Sequence, residues 1–166
     1  MIRVSASKEK REREERKMTY RLPYRKPIES IPYDEFYSAL EPNHAPDGTF
    51  SGVAVGDGWY RLVMDLNQEL TEKYPNYSIS QVKEKFGDLR YYTQGLDEEG
   101  EKMVSLAARD ATKTCERCSR AGDLRYANFY EVLCWWDAIA TVVNNARDRS
   151  FNRKKAKARE RAKNAS

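Results

Sequence analysis

All three cysteines of this 166-residue chain lie between positions 115 and 134. Cys115-Glu116-Arg117-Cys118 puts two residues between two thiols, the spacing at which a tight backbone knuckle can hold one metal ion. Cys134 follows 16 residues later, just ahead of Trp135-Trp136-Asp137. If one ion takes all three, the chain must form a knuckle, reverse near Gly122-Asp123, return, and enter a helix beside its starting point. No other feature restricts the fold as much. The fourth donor is the irregular one, because Asp137 stands where Cys or His is usual. Three arrangements stay open: a Cys3Asp site, a site completed from elsewhere, and a finger without its metal. Zinc is the favoured ion, since thiolates and tetrahedral geometry suit it. The competing reading is a set of buried core thiols. It fits Cys134, which follows Val132 and Leu133, better than Cys115 and Cys118, which lie in a polar stretch. An odd cysteine count, with no signal-peptide pattern in the first residues, favours metal over a disulfide and predicts a cytoplasmic setting.

The order of knuckle, hairpin and helix resembles a treble-clef zinc finger, in which the last helix supplies the final two ligands from its first turn. That resemblance implies Cys115, Cys118, Cys134 and Asp137 as the metal ligands.

Charge divides the chain more sharply than its total of +4 suggests. Residues 1–27 carry ten Lys/Arg and four Glu, a net of +6. Residues 147–166 carry nine Lys/Arg and two acids, a net of +7. Between them, residues 28–146 carry 11 Lys/Arg and 20 acids, a net of −9. An acidic body between two basic arms can place the arms on nucleic-acid phosphates, on an acidic protein, or simply in water. No stretch approaches the roughly 18 apolar residues of a membrane span.

Residues 5–18 interleave both charges in helix-compatible order without an apolar stripe. Pro23, Pro27 and Pro32 make residues 19–32 an extended linker. Tyr33–Leu40 reads as a short helix ending at Pro42. The stripe Trp59, Leu62, Val63, Leu66 and Leu70 predicts a helix over 59–73, with Asp57 as its N-cap. Tyr77–Phe86 and Leu89–Thr93, joined by Gly87-Asp88, read as a β-hairpin. A second long helix is predicted from Asp97 to Lys113, acidic first and basic last, as the helix dipole favours. Leu124–Tyr126 and Phe129–Leu133 would be the finger's strands, turning near Ala127-Asn128. A closing helix from Trp135 to about Ala146 would turn Ile139, Val142 and Val143 inward, and the basic tail is able to continue it. The expected class is α+β: helices packed on a β-hairpin, with a treble-clef-like module at the C-terminal end and charged helical arms. The expected organisation is a basic arm and Pro-containing linker over 1–32, an α+β core over 33–113, the finger-like module over 114–146, and a basic tail over 147–166.

Gln81-Val-Lys-Glu-Lys-Phe-Gly-Asp-Leu-Arg-Tyr-Tyr, with Gly58-Trp59 upstream and Cys115-Glu-Arg-Cys118 downstream, resembles a group of small bacteriophage and bacterial proteins. The likeness covers roughly residues 56–140 and leaves both arms outside. It implies a phage setting and a finger fold; no reaction comes with it.

His44 is the sole histidine, which removes triads and His-based metal chemistry. In Pro-Asn-His-Ala-Pro it reads as an exposed loop residue rather than a fourth ligand. A metal-dependent nuclease arrangement, with Glu69 and Glu72 on a helix beside Gln81-Val82-Lys83, lacks the strand aspartate that would hold Mg²⁺. Lys83, Glu84, Lys85 and Arg90 read as cross-strand charge pairs. Tyr91, Tyr92, Tyr126 and Tyr130 read as core aromatics in preference to base-stacking ones. The sequence therefore predicts a non-enzymatic, zinc-binding protein that contacts nucleic acid non-specifically through Arg147, Arg149, Arg153, Lys154, Lys155, Lys157 and Arg159. The alternative is an adaptor or inhibitor docking on a host or phage protein, and no membrane partner is expected.

Overall fold

In the computed structural model, residues 25–126 and 129–163 are described. The helix expected over 5–18 and the turn at Ala127-Asn128 lie outside them. The described residues fall into two compact units, one within 24–138 and a second that includes 139–163. The class is α+β.

In the larger unit, α1 (Tyr33–Leu40) leads through a 3-10 turn (Glu41–Asn43) to β1 (Val53–Ala54). A second 3-10 turn (Asp57–Trp59) opens onto α2 (Tyr60–Lys73). The hairpin β2 (Ser78–Lys85) and β3 (Asp88–Gln94) precedes α3 (Glu98–Ala111). A second hairpin, β4 (Asp123–Tyr126) and β5 (Tyr130–Leu133), leads to α4 (Trp135–Lys163). α4 starts in the larger unit, and its 139–163 stretch is the described part of the smaller one. No helix among the described residues is long and apolar enough to cross a membrane.

The predicted stripe of α2 is the centre of the core. Trp59, Val63, Leu66 and Leu70 are buried with Phe36, Leu40, Ile79, Val82, Leu89 and Tyr91. Phe36 stacks on Tyr60 with ring centroids 4.0 Å apart. A small polar cluster sits inside this apolar mass. Asn67 receives hydrogen bonds from Asn43 Nδ2 at 3.1 Å and from the Tyr77 hydroxyl, and donates to the Ala39 carbonyl at 2.9 Å. A satisfied buried amide fixes one arrangement of α1, the 3-10 turn after it, α2 and the residue that leads into β2, because any slip would leave it unpaired.

Several predicted boundaries shift for local reasons. Asp57 makes no side-chain cap, and α2 starts at Tyr60 after a 3-10 turn that brings Gly58 against the cysteine knuckle. Asp97 caps α3 from outside, accepting the Gly100 N–H at 3.0 Å. The first hairpin turns at Phe86-Gly87, one residue earlier than Gly87-Asp88, because both of those residues take left-handed φ, 58° and 82°. β1 pairs parallel to β2, Val53 opposite Val82, a pairing that two residues cannot announce in sequence.

Three expectations about burial are corrected. Tyr92, Tyr126 and Tyr130 are exposed, and only Tyr91 enters the core. Lys83 faces Arg90 across the ladder, so the two are like charges opposed and not an ion pair. Ile139 and Val142 are about half exposed, at 47% and 52%. Among the described side chains of α4, the buried ones are Asp137, Ala140, Thr141 and Asn144, one stripe at helical spacing. Ile139 and Val142 fall outside that stripe.

Candidate metal centre

The segment after α3 turns back on itself at once. Cys115 N–H donates to the Arg120 carbonyl at 2.7 Å, Ser119 N–H to the Cys115 carbonyl at 3.0 Å, and Gly122 N–H to the Lys113 carbonyl at 2.9 Å. Ser119 closes the knuckle with φ 61°. Glu116 N–H and carboxylate both engage Val132, at 2.9 Å and 2.7 Å, and tie the knuckle to β5. β5 then delivers Cys134 to the entrance of α4. There its sulfur accepts the Asp137 N–H at 3.4 Å in the manner of an N-cap.

Four donor groups converge. Cys115, Cys118, Cys134 and Asp137 are all buried, and their donor atoms lie within 4.8 Å of one another. Cys118 Sγ and Cys134 Sγ are 3.6 Å apart, and all three cysteines are free thiols. Asp137 Oδ2 is 3.4 Å from Cys115 Sγ and 3.2 Å from Cys134 Sγ. The other carboxylate oxygen faces elsewhere: Oδ1 accepts the Arg25 N–H at 2.8 Å. One oxygen is thus held by backbone while its twin is aimed at the sulfurs, the division of labour seen in metal-bound carboxylates with an outer partner.

The electrostatics match a set of donors that carries protons when no cation is bound. Burial pushes the Cys115 thiol up to about 12, against backbone N–H groups that point at its sulfur, and burial also raises Cys134. Burial acts to raise Asp137 too, but hydrogen bonds from Arg25 N–H and the three thiols outweigh it and hold the carboxyl below its usual range. The cluster is one carboxylate surrounded by thiols, ready to exchange protons for a cation. Burial likewise lifts the neighbouring Glu116 carboxyl to about 7.

Two surroundings of this centre escape a sequence reading. The Gly56-Asp57-Gly58 turn is pressed onto the knuckle, with Gly58 N–H donating to the Glu116 carbonyl at 2.8 Å. A Cβ on Gly58 would lie 2.4 Å from the Cys115 carbonyl oxygen, so only glycine allows the approach. The stretch expected to be a plain linker also crosses the centre. Besides Arg25, Ile28 N–H donates to the Cys118 carbonyl at 3.2 Å, and Arg120 reaches the Lys26 carbonyl at 2.9 Å. Backbone contacts of this kind leave no residue-type signal.

The other predicted residues fall elsewhere. His44 is half-buried and stacks on Phe50 at 3.6 Å, with burial holding its imidazole below the usual value. The structure thus corrects its reading as an exposed loop residue. Lys83 projects from the outer face of the β2–β3 ladder, opposite the face where Tyr91 meets Asn67 of α2, so it is not gathered with Glu69 and Glu72. Arg149, Arg153, Lys154, Lys155 and Lys157 are exposed on α4, Arg147 is half-buried, and the Arg159 side chain lies outside the described ones. No family model, curated protein or solved structure matches the chain.

Proposed function

We propose that this is a non-enzymatic, zinc-finger-like binding protein in which Cys115, Cys118, Cys134 and Asp137 hold one structural zinc, and in which basic segments contact nucleic-acid phosphates. The donor geometry carries the first half of this reading. A tetrahedral zinc with Zn–S near 2.3 Å and Zn–O near 2.0 Å needs S···S edges of about 3.8 Å and S···O edges of about 3.5 Å. Three separations here, 3.6, 3.4 and 3.2 Å, lie close to those edges. Four protein ligands leave no open position for water or substrate, which is the mark of a structural rather than a catalytic ion. The zinc would close the knuckle against β5 and fix the phase of α4. The treble-clef likeness and the phage setting suggested by the hairpin motif belong to this same reading.

The basic stretch of α4 supports the second half. Arg149, Arg153 and Lys157 recur every four residues with Lys154 beside them, so like charges share one helical face. Such spacing costs stability unless an anion lies along the face, and a polyanionic backbone supplies one without sequence preference. Binding should therefore weaken steeply between about 50 and 200 mM salt. Replacing Lys154, Lys155 and Lys157 with Gln should flatten that dependence. Retention of wild-type affinity and salt dependence in this variant would refute the role of the arm.

A second reading, a protein adaptor, is favoured by one groove. Between α2 and α3 an open cleft of about 460 Å³ has Leu62, Leu66, Met103 and Leu106 in its floor and Asp65 and Glu69 on its rim. An apolar floor with acidic edges suits a basic amphipathic helix of another protein. Capture of such a helix, abolished by Leu106→Glu, would support it.

A further inference from the structure

We infer that the outer face of the β1–β2–β3 sheet is a second contact surface, one that binds single-stranded nucleic acid through phosphates on Lys83, Lys85 and Arg90 and bases stacked on Phe86 and Tyr92. The inference rests on the nucleic-acid reading for the class of ligand, but it places the contact on the body of the protein and not on an arm.

The register assembles the face. Lys83 is opposite Arg90, Gln81 opposite Tyr92, and Lys85 opposite Asp88, so these side chains project together while Val82, Leu89 and Tyr91 enter the core. Like charges directly opposed across an antiparallel pair destabilise it. Among the described residues Asp88 is the one acid on the face, and it already pairs with Arg90 at 3.0 Å. Three cations therefore share one carboxylate, on a body whose 28–146 stretch is net −9. A local positive face on an acidic body directs a polyanion to one place.

The aromatics identify the kind of polyanion. Phe86 and Gly87 are both left-handed, the turn for which Asn-Gly is the favoured pair. A bulky residue at that position is strained. Packing does not recover the strain, because the Phe86 ring is 66% exposed. The tip is nevertheless held firmly: a Cβ on Gly87 would lie 2.2 Å from Leu124 Cδ1, so the turn sits directly against β4. Each exposed ring carries its own cation, Lys85 Nζ at 5.7 Å from the Phe86 centroid and Lys83 Nζ at 5.3 Å from that of Tyr92. Rings alternating with cations along a sheet face are how single strands are held, with unpaired bases on the rings and phosphates on the ammonium groups. A duplex, whose bases are already stacked, leaves such rings unused.

The test uses the full-length protein and a fluorescently labelled thymidine oligonucleotide, alone and as a duplex, followed by anisotropy at several salt concentrations. Phe86→Asn should leave the melting temperature unchanged or raise it, because Asn suits the turn, while single-strand affinity falls about ten-fold and duplex affinity holds. Lys83→Gln with Arg90→Gln should make the salt slope for the single strand shallower by roughly 1.4, two phosphate contacts at about 0.7 each. The arm variant at Lys154, Lys155 and Lys157 separates the two readings. If it binds as wild type while Phe86→Asn has lost the single strand, the arm reading falls and the sheet face stands. A folded Phe86→Asn protein with wild-type single-strand affinity overturns the inference, as does a wild-type protein that binds no single strand in low salt.

Discussion

Asp137 does two things with one side chain. Its Oδ2 faces the cysteines, and its Oδ1 accepts the Arg25 N–H. Asp137→Ala should therefore lower zinc affinity by at least the roughly 10–100-fold that loss of a mere supporting contact costs, read by competition with a chromophoric chelator. Asp137→Cys should retain or tighten binding, since a fourth thiolate completes a common zinc set. Gly58 acts by having no side chain. Gly58→Ala places a methyl 2.4 Å from the Cys115 carbonyl oxygen and 2.7 Å from Cys118 N, both backbone atoms that cannot swing aside. Thermal unfolding should show a loss of about 1–3 kcal/mol, the usual cost of overpacking. Of these two residues only Asp137 is legible in sequence, because it is a donor at a recognised spacing. Gly58 is visible in sequence only as the partner of Trp59 in a motif, with nothing to say that it meets the cysteine knuckle.

At the scale of elements, long periodic helices are legible and turns are not. The stripe of α2 announces itself through Val63, Leu66 and Leu70, and the core forms around them. The first hairpin is legible as a hairpin, but Phe86 at a left-handed position hides where it turns. Asn67 lies four residues after Val63 and three before Leu70, at the edge of the buried stripe, and there it joins Asn43, Tyr77 and the Ala39 carbonyl inside the core. Asn67→Ala should destabilise the protein by about 2–3 kcal/mol, since Asn43 and Tyr77 would lose a buried partner; denaturant unfolding at constant m-value checks this. Asp97 gives α3 a pH-sensitive start. The hydrogen bond from Tyr74 and the Gly100 N–H hold its carboxyl below the usual carboxylate value. A depressed folded value means the stabilisation is present above the ordinary carboxylate range and is lost as acid takes pH down through the folded value. Asp97→Ala should lower the melting temperature at neutral pH, and the gap from wild type should close in strong acid.

Across the whole molecule, the cysteine spacing and the charge partition are the two large-scale facts the sequence states openly. It does not state how the body is tied to the Cys115–Asp137 cluster that could hold a metal. Three backbone contacts run from the 25–28 stretch to Asp137, Cys118 and Arg120, and one from Gly58 to Glu116. They depend on where chain segments pass, which no residue type encodes. They also predict that the centre is not a detachable appendage. Chelation should lower the stability of the 24–138 unit as a whole, in a single cooperative transition, by the linkage that makes a ligand of the native state alone stabilising. The most direct test of the account is the metal content of the purified full-length protein, with Cys115→Ser as control. One zinc per chain is expected, absent from the variant together with a fall in melting temperature. A wild-type protein that carries no zinc, takes none up when it is offered, and melts at the same temperature as Cys115→Ser would contradict it and leave Cys115, Cys118 and Cys134 as ordinary core thiols.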